Sequence, residues 1–221
     1  MIAPLENHSY YPAFLDLAGR LVVVIGGAAV AERKVDTLLS CGAVVRVVSP
    51  HATARICELA QTGAVSYTAR AYVQGDLTGA FMVICTAAAA EVKLAVAAEA
   101  AELGALLNMA VPPPAGNVII PATLRRGPLQ IAVSTGGAAP AVARAVRAEL
   151  EQTFDASWGD YVELMAAVRP LVLTRVAEAA QRRAIFTAIA AADWLERLRA
   201  GEAISAEQVF DEIRGDDFGQ T

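Results

Sequence analysis

Histidine, cysteine and aromatic side chains are scarce in this chain of 221 residues. The two histidines, His8 and His51, have no second ligand type at metal spacing, so no preformed structural zinc site is expected. Cys41, Cys57 and Cys85 stand 16 and 28 residues apart without a CxxC pair. An odd count in apolar surroundings predicts reduced, buried thiols rather than a disulfide framework. Long apolar runs are also missing. The most apolar stretch, Ala80 to Ala90, is closed by Glu91 and Lys93 and falls short of the roughly 18 residues that a spanning helix needs, which excludes a membrane partner. No Lys/Arg run relieves the net charge of −5, which argues against nucleic acid. The opening MIAPLENHSYYP has neither a basic n-region nor an apolar h-region, so a cytoplasmic location is expected.

What is present is aliphatic. The chain is 56% hydrophobic but only 6% aromatic, so Ala, Val, Leu and Ile carry the apolar fraction and disorder is excluded. The length suffices for one or two compact domains.

The first hundred residues alternate strand and helix. Leu21–Ile25 is a continuous apolar run, ended by Gly26-Gly27, as a strand buried on both faces requires. A helix is predicted over Ala28–Ser40, with Cys41-Gly42 as its stop. Val44–Val48 is the next strand, and a helix running to about Thr62 follows Ser49-Pro50. Val65–Thr68 and Phe81–Cys85 read as strands, Ala89–Leu103 as a helix and Leu106–Met109 as the closing strand. Strands separated by helices imply a parallel, doubly wound α/β sheet. At Val111 the pattern breaks. Pro112-Pro113-Pro114 and Gly116 form a rigid loop and a domain boundary. Val118–Ile120, Ala122–Arg125 and Leu129–Ser134, with a turn at Arg126-Gly127-Pro128, form a small antiparallel unit. A helix opens near Pro140, the period from Ala156 onward is helical, and the polar tail Arg214–Thr221 is expected to fray.

The turn Gly26-Gly27-Ala28-Ala29-Val30-Ala31 sits where a dinucleotide fingerprint belongs, after a strand and opening a helix. Glycines there let the backbone approach a pyrophosphate, whose charge rests on the helix N-terminus. The alternative is an ordinary strand-to-helix turn. Ala28 replaces the fingerprint's second glycine, and Ser49, Pro50 and His51 stand where a ribose-binding acid usually ends the second strand. Without that acid, NAD is not distinguished from NADP.

The run Gly26 to Lys34 resembles the GGGxVAxRK signature of precorrin-2 dehydrogenases, the sirohydrochlorin-forming enzymes that also form the N-terminal part of siroheme synthases. NMAVPPPAGNVIIP, from Asn108 to Pro121, resembles the family's link into a second domain, and LQIAVSTGGAAPAVAR, from Leu129 to Arg144, its VSTxGxSPxLAR block. The order and spacing of the three blocks agree. The resemblance implies NAD-dependent oxidation of precorrin-2 to sirohydrochlorin by a homodimer. The implied layout is a Rossmann-like domain over 1–112, a small α+β dimerisation domain over 113–153 and a C-terminal helical domain over 154–221. It also implies a cofactor site made by Gly26, Gly27, Ala28, Ala29, Val30, Ser49, Pro50 and Thr86.

Precorrin-2 is a polycarboxylate, so its cradle should offer N–H groups and cations. Ser134, Thr135, Gly136 and Gly137 before the helix at Pro140, with Arg144 and with Asn108, are the candidate substrate residues; Arg125, Arg126 and Arg147 lie nearby in sequence, where a solvated surface is the alternative. The family's second serine in this block is Ala139 here. Its aspartate, the proposed base and metal-handling group, falls on Val111, which can neither take a proton nor ligate a metal. A locally shifted alignment would instead bring in Asp76 or Glu91. Two readings follow: a dehydrogenase with weak or absent chelation, or a member that binds tetrapyrrole or nucleotide without turnover.

Overall fold

The computed structural model describes residues 10–109 and 116–218, in two compact units that divide after Ile120. In the first, β1 (Leu21–Ile25), α1 (Ala29–Ser40), β2 (Val44–Val48), α2 (Ala54–Gln61), β3 (Val65–Thr68), β4 (Met82–Cys85), α3 (Ala90–Glu102) and β5 (Leu106–Met109) follow one another. The strands form a parallel sheet in the order β3-β2-β1-β4-β5. The strand and helix bounds expected from the sequence hold to within one residue for β1, α1, β2, β3, β4 and β5.

The reason is packing on two faces. Val22, Val23 and Val24 are each fully buried. Val22 and Val24 join Ala31, Val35 and Leu38 of α1 and Ile56 and Leu59 of α2 in one core layer. Val23 and Ile25 face the other way, with Val83, Cys85, Leu77 and the Val96 and Ala100 side chains of α3. A strand covered on both sides has no use for alternation, hence the unbroken aliphatic runs. The chain reaches β3 on one side of β1 and returns to β4 on the other. The strand order therefore reverses between β1 and β4, which opens a crevice beyond their carboxyl ends.

Several expectations are corrected. Val118–Ile120 is not a strand. Instead residues 116–118 run along β5: Asn117 Oδ1 accepts from the Leu107 N–H at 2.7 Å, the Val118 N–H donates to the Leu107 carbonyl at 3.0 Å, and Asn108 Nδ2 donates to the Val118 carbonyl at 2.9 Å. Gly116 passes so close that a Cβ would lie 2.8 Å from the Leu107 oxygen. These bonds explain why the first unit runs to Ile120. Of the cysteines only Cys85 is buried, and burial pushes its thiol up; Cys41 and Cys57 are half-buried at the helix surfaces. His8, Val111 and Pro112 to Pro114 lie outside the described residues.

In the second unit, β6 (Ala122–Arg126) and β7 (Leu129–Val133) form an antiparallel hairpin turned at Gly127, followed by α4 (Pro140–Thr153). Then come α5 (Ser157–Arg175), α6 (Ala179–Ala191), α7 (Trp194–Arg199) and α8 (Ala206–Phe218). These last four helices share a core around Val168, Val172, Ile189, Trp194 and Phe210. Helix α8 is anchored by the buried Val209, Phe210 and Ile213. No helix among the described residues is long and apolar enough to cross a membrane.

Replacing Asn117 with alanine leaves the Leu107 N–H without its acceptor. The variant should lose about 1–2 kcal/mol of stability in urea unfolding. A midpoint and slope equal to those of the parent would contradict the edge-capping role.

Candidate functional site

A cleft of about 520 Å³ lies beyond the carboxyl ends of β1, β2 and β4, at the point where the strand order reverses. Six of the expected cofactor residues line it: Gly26, Gly27, Ala28, Ser49, Pro50 and Thr86. Ala29 and Val30 form the first turn of α1 and do not line it. Ala71, Tyr72, Ala87 to Ala89 and Val92 complete the walls.

The two glycines are required by distance. Gly26 has φ 120°, and a Cβ there would lie 2.2 Å from Thr86 Oγ1. A Cβ on Gly27 would lie 2.1 Å from the His51 carbonyl oxygen. This close approach lets the turns bond one another. The Gly26 N–H donates to the Val48 carbonyl at 3.0 Å, that of Thr53 to Gly27 at 3.0 Å, and that of Thr86 to Ile25 at 2.8 Å. Ser49 Oγ donates to the His51 carbonyl at 2.7 Å, and the Tyr67 hydroxyl to that of Ser49 at 3.0 Å.

Ala28 is a different case. Its φ of −81° is open to any residue, which is why alanine is tolerated where the fingerprint has glycine. It is the N-cap of α1 and makes no side-chain cap bond. First-turn N–H groups with the positive end of a helix behind them are the donors that an anion beside the cleft would need. Ala31, at the third fingerprint position, is fully buried, as close helix-to-sheet packing requires.

Among the described residues, no Asp, Glu, Lys or Arg lines the cleft. The Ser49 hydroxyl is committed to a backbone oxygen, and no charge selects for or against a ribose 2′-phosphate. Arg33 and Lys34 lie one turn into α1 outside the cleft; burial, and then the neighbouring Arg33, lowers the Lys34 ammonium from its ordinary range.

The segment between β3 and β4 supplies one cleft wall, at Ala71 and Tyr72. Asp76 forms a bidentate pair with Arg70 at 2.7 Å to each oxygen and accepts from the Val73 N–H at 2.8 Å. The Arg70 guanidinium holds the Asp76 carboxyl below the usual carboxylate range. Asp76 is thus a loop staple rather than a base. Glu91 is exposed and outside the cleft.

In the second unit the expected cradle has a defined local shape. Gly136 and Gly137 take φ of 63° and 86°, where glycine is favoured. The Gly136 N–H donates to Ser134 Oγ at 3.1 Å and that of Ala139 to Thr135 Oγ1 at 3.0 Å. Helix α4 opens with Pro140 and has no side-chain cap. Arg144 is exposed on its first turns. The other arginines have structural partners: Arg126 Nε donates to the Phe154 carbonyl at 2.8 Å, and Arg147 pairs with Glu151. Asn108, in the first unit, donates its amide nitrogen to the Val118 carbonyl at 2.9 Å.

Two experiments probe this geometry. Gly27→Ala should destabilise the fold by about 1–3 kcal/mol, since the atom it meets is backbone, while Ala28→Gly should keep the melting temperature and lower the Kd for NAD⁺; a tolerated Gly27→Ala would refute the close approach. Because Asp76 has a depressed pKa in the fold, its contribution is present at neutral pH and is lost as pH falls through the acid range, about pH 5 downward. Asp76→Asn should flatten the acid limb of stability measured by urea unfolding at stepped pH, and an unchanged limb would contradict the pair.

Comparison with known proteins agrees with this arrangement. Residues 13–122 match a family model described as NAD(P)-binding, and residues 126–153 match one described as sirohaem biosynthesis protein central. The siroheme synthase of Stutzerimonas stutzeri (strain A1501) is 36% identical over 203 residues, covering 92% of this chain and 44% of that protein. That of Azotobacter vinelandii is 35% identical over 91% of this chain and 44% of its own length. The chain therefore spans under half the length of these relatives. A solved structure titled SirC, precorrin-2 dehydrogenase, superposes with a TM-score of 0.77 at 26% identity, over 93% of this chain and 99% of that one. With the glycine turn, the switch-point cleft and the central block in the same order, the chain belongs to the family of precorrin-2 dehydrogenases and siroheme synthases.

Proposed function

We propose that the chain oxidises precorrin-2 to sirohydrochlorin, with NAD⁺ as oxidant, on the route to siroheme. The observation that carries this reading is the uncharged switch-point cleft closed at one end by Gly26, Gly27 and the uncapped start of α1. When bound, the dinucleotide accepts a hydride from the tetrapyrrole and a proton is released. The chain's own part is placement. The first-turn amides of α1 hold the pyrophosphate, Gly26 and Gly27 give the approach, and Thr86, bonded to Ile25, fixes the wall after β4. Ser134, Thr135, Gly136, Gly137, Arg144 and Asn108 are proposed to receive substrate carboxylates and edges.

The released proton has no carboxylate at position 111, where the family aspartate is valine. It passes to water or to a substrate carboxylate. Loss of general-base help is typically worth about 10²–10⁴ in rate, so turnover is slowed rather than abolished. Valine has no lone pair for a metal, and insertion of iron or cobalt into the product is weak or absent. The hairpin and α4, within 113–153, are proposed as the dimerisation domain of a homodimer; Val142 and Val146 are exposed on α4, and a two-stranded sheet leaves open edges. Residues 154–221 are the proposed helical domain, and a cytoplasmic location is part of the same reading.

The test is an anaerobic assay of purified protein with precorrin-2 and NAD⁺, following reduced-nicotinamide absorbance and sirohydrochlorin together. Both should rise in equal amounts, and Val111→Asp should raise kcat by about 10- to 1,000-fold. Binding of NAD⁺ with no absorbance change in either protein would favour a non-catalytic binding role instead.

A further inference from the structure

We propose that Tyr72 is the wall on which the adenine of the bound dinucleotide stacks, and that Glu99, buried in α3, is the positioning residue that fixes its ring. The inference rests on the dinucleotide reading of the cleft and assigns its base-binding end. With the pyrophosphate at Gly26–Ala28, the adenosine ribose lies beside the end of β2, at Ser49 to His51, as in doubly wound folds generally. The base must extend past it. Among the described residues, two planar ring side chains line the cleft, His51 and Tyr72. His51 is exposed, whereas Tyr72 is half-buried and adjoins the apolar Ala71 and Val92 walls.

What sets Tyr72 apart is how it is held. Its hydroxyl donates to the Glu99 carboxylate. The same carboxylate accepts from the Gly75 N–H, at 3.1 Å to each oxygen, and from the Leu77 N–H at 3.0 Å. Glu99 is only 6% exposed, on the face of α3 that also buries Val96 and Ala100. A carboxylate there is costly to bury unless its oxygens are satisfied, and every one of its three donors comes from residues 72–77. A small apolar residue would serve the helix packing alone. The Arg70–Asp76 pair and the Val73 N–H tie down the rest of the segment. The ring is thereby fixed before a ligand arrives, so binding forfeits little rotamer freedom. Burial, and then the Glu99 carboxylate, raises the Tyr72 phenol above its ordinary range, so the hydroxyl stays a donor at any working pH.

The test compares AMP, nicotinamide mononucleotide and NAD⁺ by titration calorimetry on the full chain. Tyr72→Ala, and Tyr72→Leu, which keeps apolar bulk without a ring, should raise the Kd for AMP and NAD⁺ by about ten- to a hundredfold. The Kd for nicotinamide mononucleotide should stay within about twofold, and Tyr72→Phe, which keeps the ring face but loses its bond to Glu99, should weaken AMP and NAD⁺ binding by less than Tyr72→Leu does. Glu99→Gln should weaken AMP binding in the parent but add nothing in the Tyr72→Leu background, a coupling that a general loss of stability would not produce. Parental AMP affinity in a folded Tyr72→Leu protein, or an equal loss for both mononucleotides, overturns the assignment. Failure of the parent protein to bind AMP or NAD⁺ at all overturns the dinucleotide reading, and the assignment with it.

Discussion

The close approach of the Gly26-Gly27 backbone to its neighbours is the constraint on which the first unit's site depends. At 2.2 Å and 2.1 Å from Thr86 Oγ1 and the His51 oxygen, there is no room for a Cβ at either position. Because the glycines yield that room, the turns after β1, β2 and β4 bond directly to one another, and the cleft they enclose has fixed walls. The sheet supplies the other half of the constraint. Strands β1 and β4, buried on both faces within the five-stranded parallel sheet, lie side by side where the strand order reverses. The start of α1 beside the cleft has no side-chain cap, so its first-turn amides are donors that a phosphate could use.

The chemistry follows from what these walls lack as much as from what they hold. The cleft is uncharged, so recognition of an anionic dinucleotide falls to backbone amides and helix polarity rather than to Lys or Arg. The second candidate cradle, at Ser134 to Gly137, uses the same device with two left-handed glycines before α4. This reconciles a net charge of −5 with anionic ligands, because local donors rather than the total decide binding.

Much of this was legible in the residues. The unbroken run Leu21–Ile25 marked a strand buried on both faces, and the glycine turn between strand and helix located the cleft. The path of 116–118 along β5 was not legible, since it depends on Asn117 finding a backbone amide ten residues back in the chain. Nor was the anchoring of α8 by Val209, Phe210 and Ile213 against helices far away in sequence. The wall at Tyr72 was missed for a related reason. Its segment has no periodicity, and Glu99 in an Ala-rich helix reads as a solvated charge. One signal was there: Glu99 stands three residues after Val96 and one before Ala100, on the helix face that must meet the sheet.

The central claim is that the start of α1 and the glycine turn before it hold the dinucleotide phosphates, with the base laid toward Tyr72. Amide chemical-shift mapping of the isotope-labelled chain during NAD⁺ titration tests it most directly. The account predicts saturable shifts concentrated on the amides of Gly27 to Ala31, Ser49 to His51, Tyr72 and Thr86, fitting a single Kd. Saturable binding whose shifts fall elsewhere, with those amides unmoved, would contradict it.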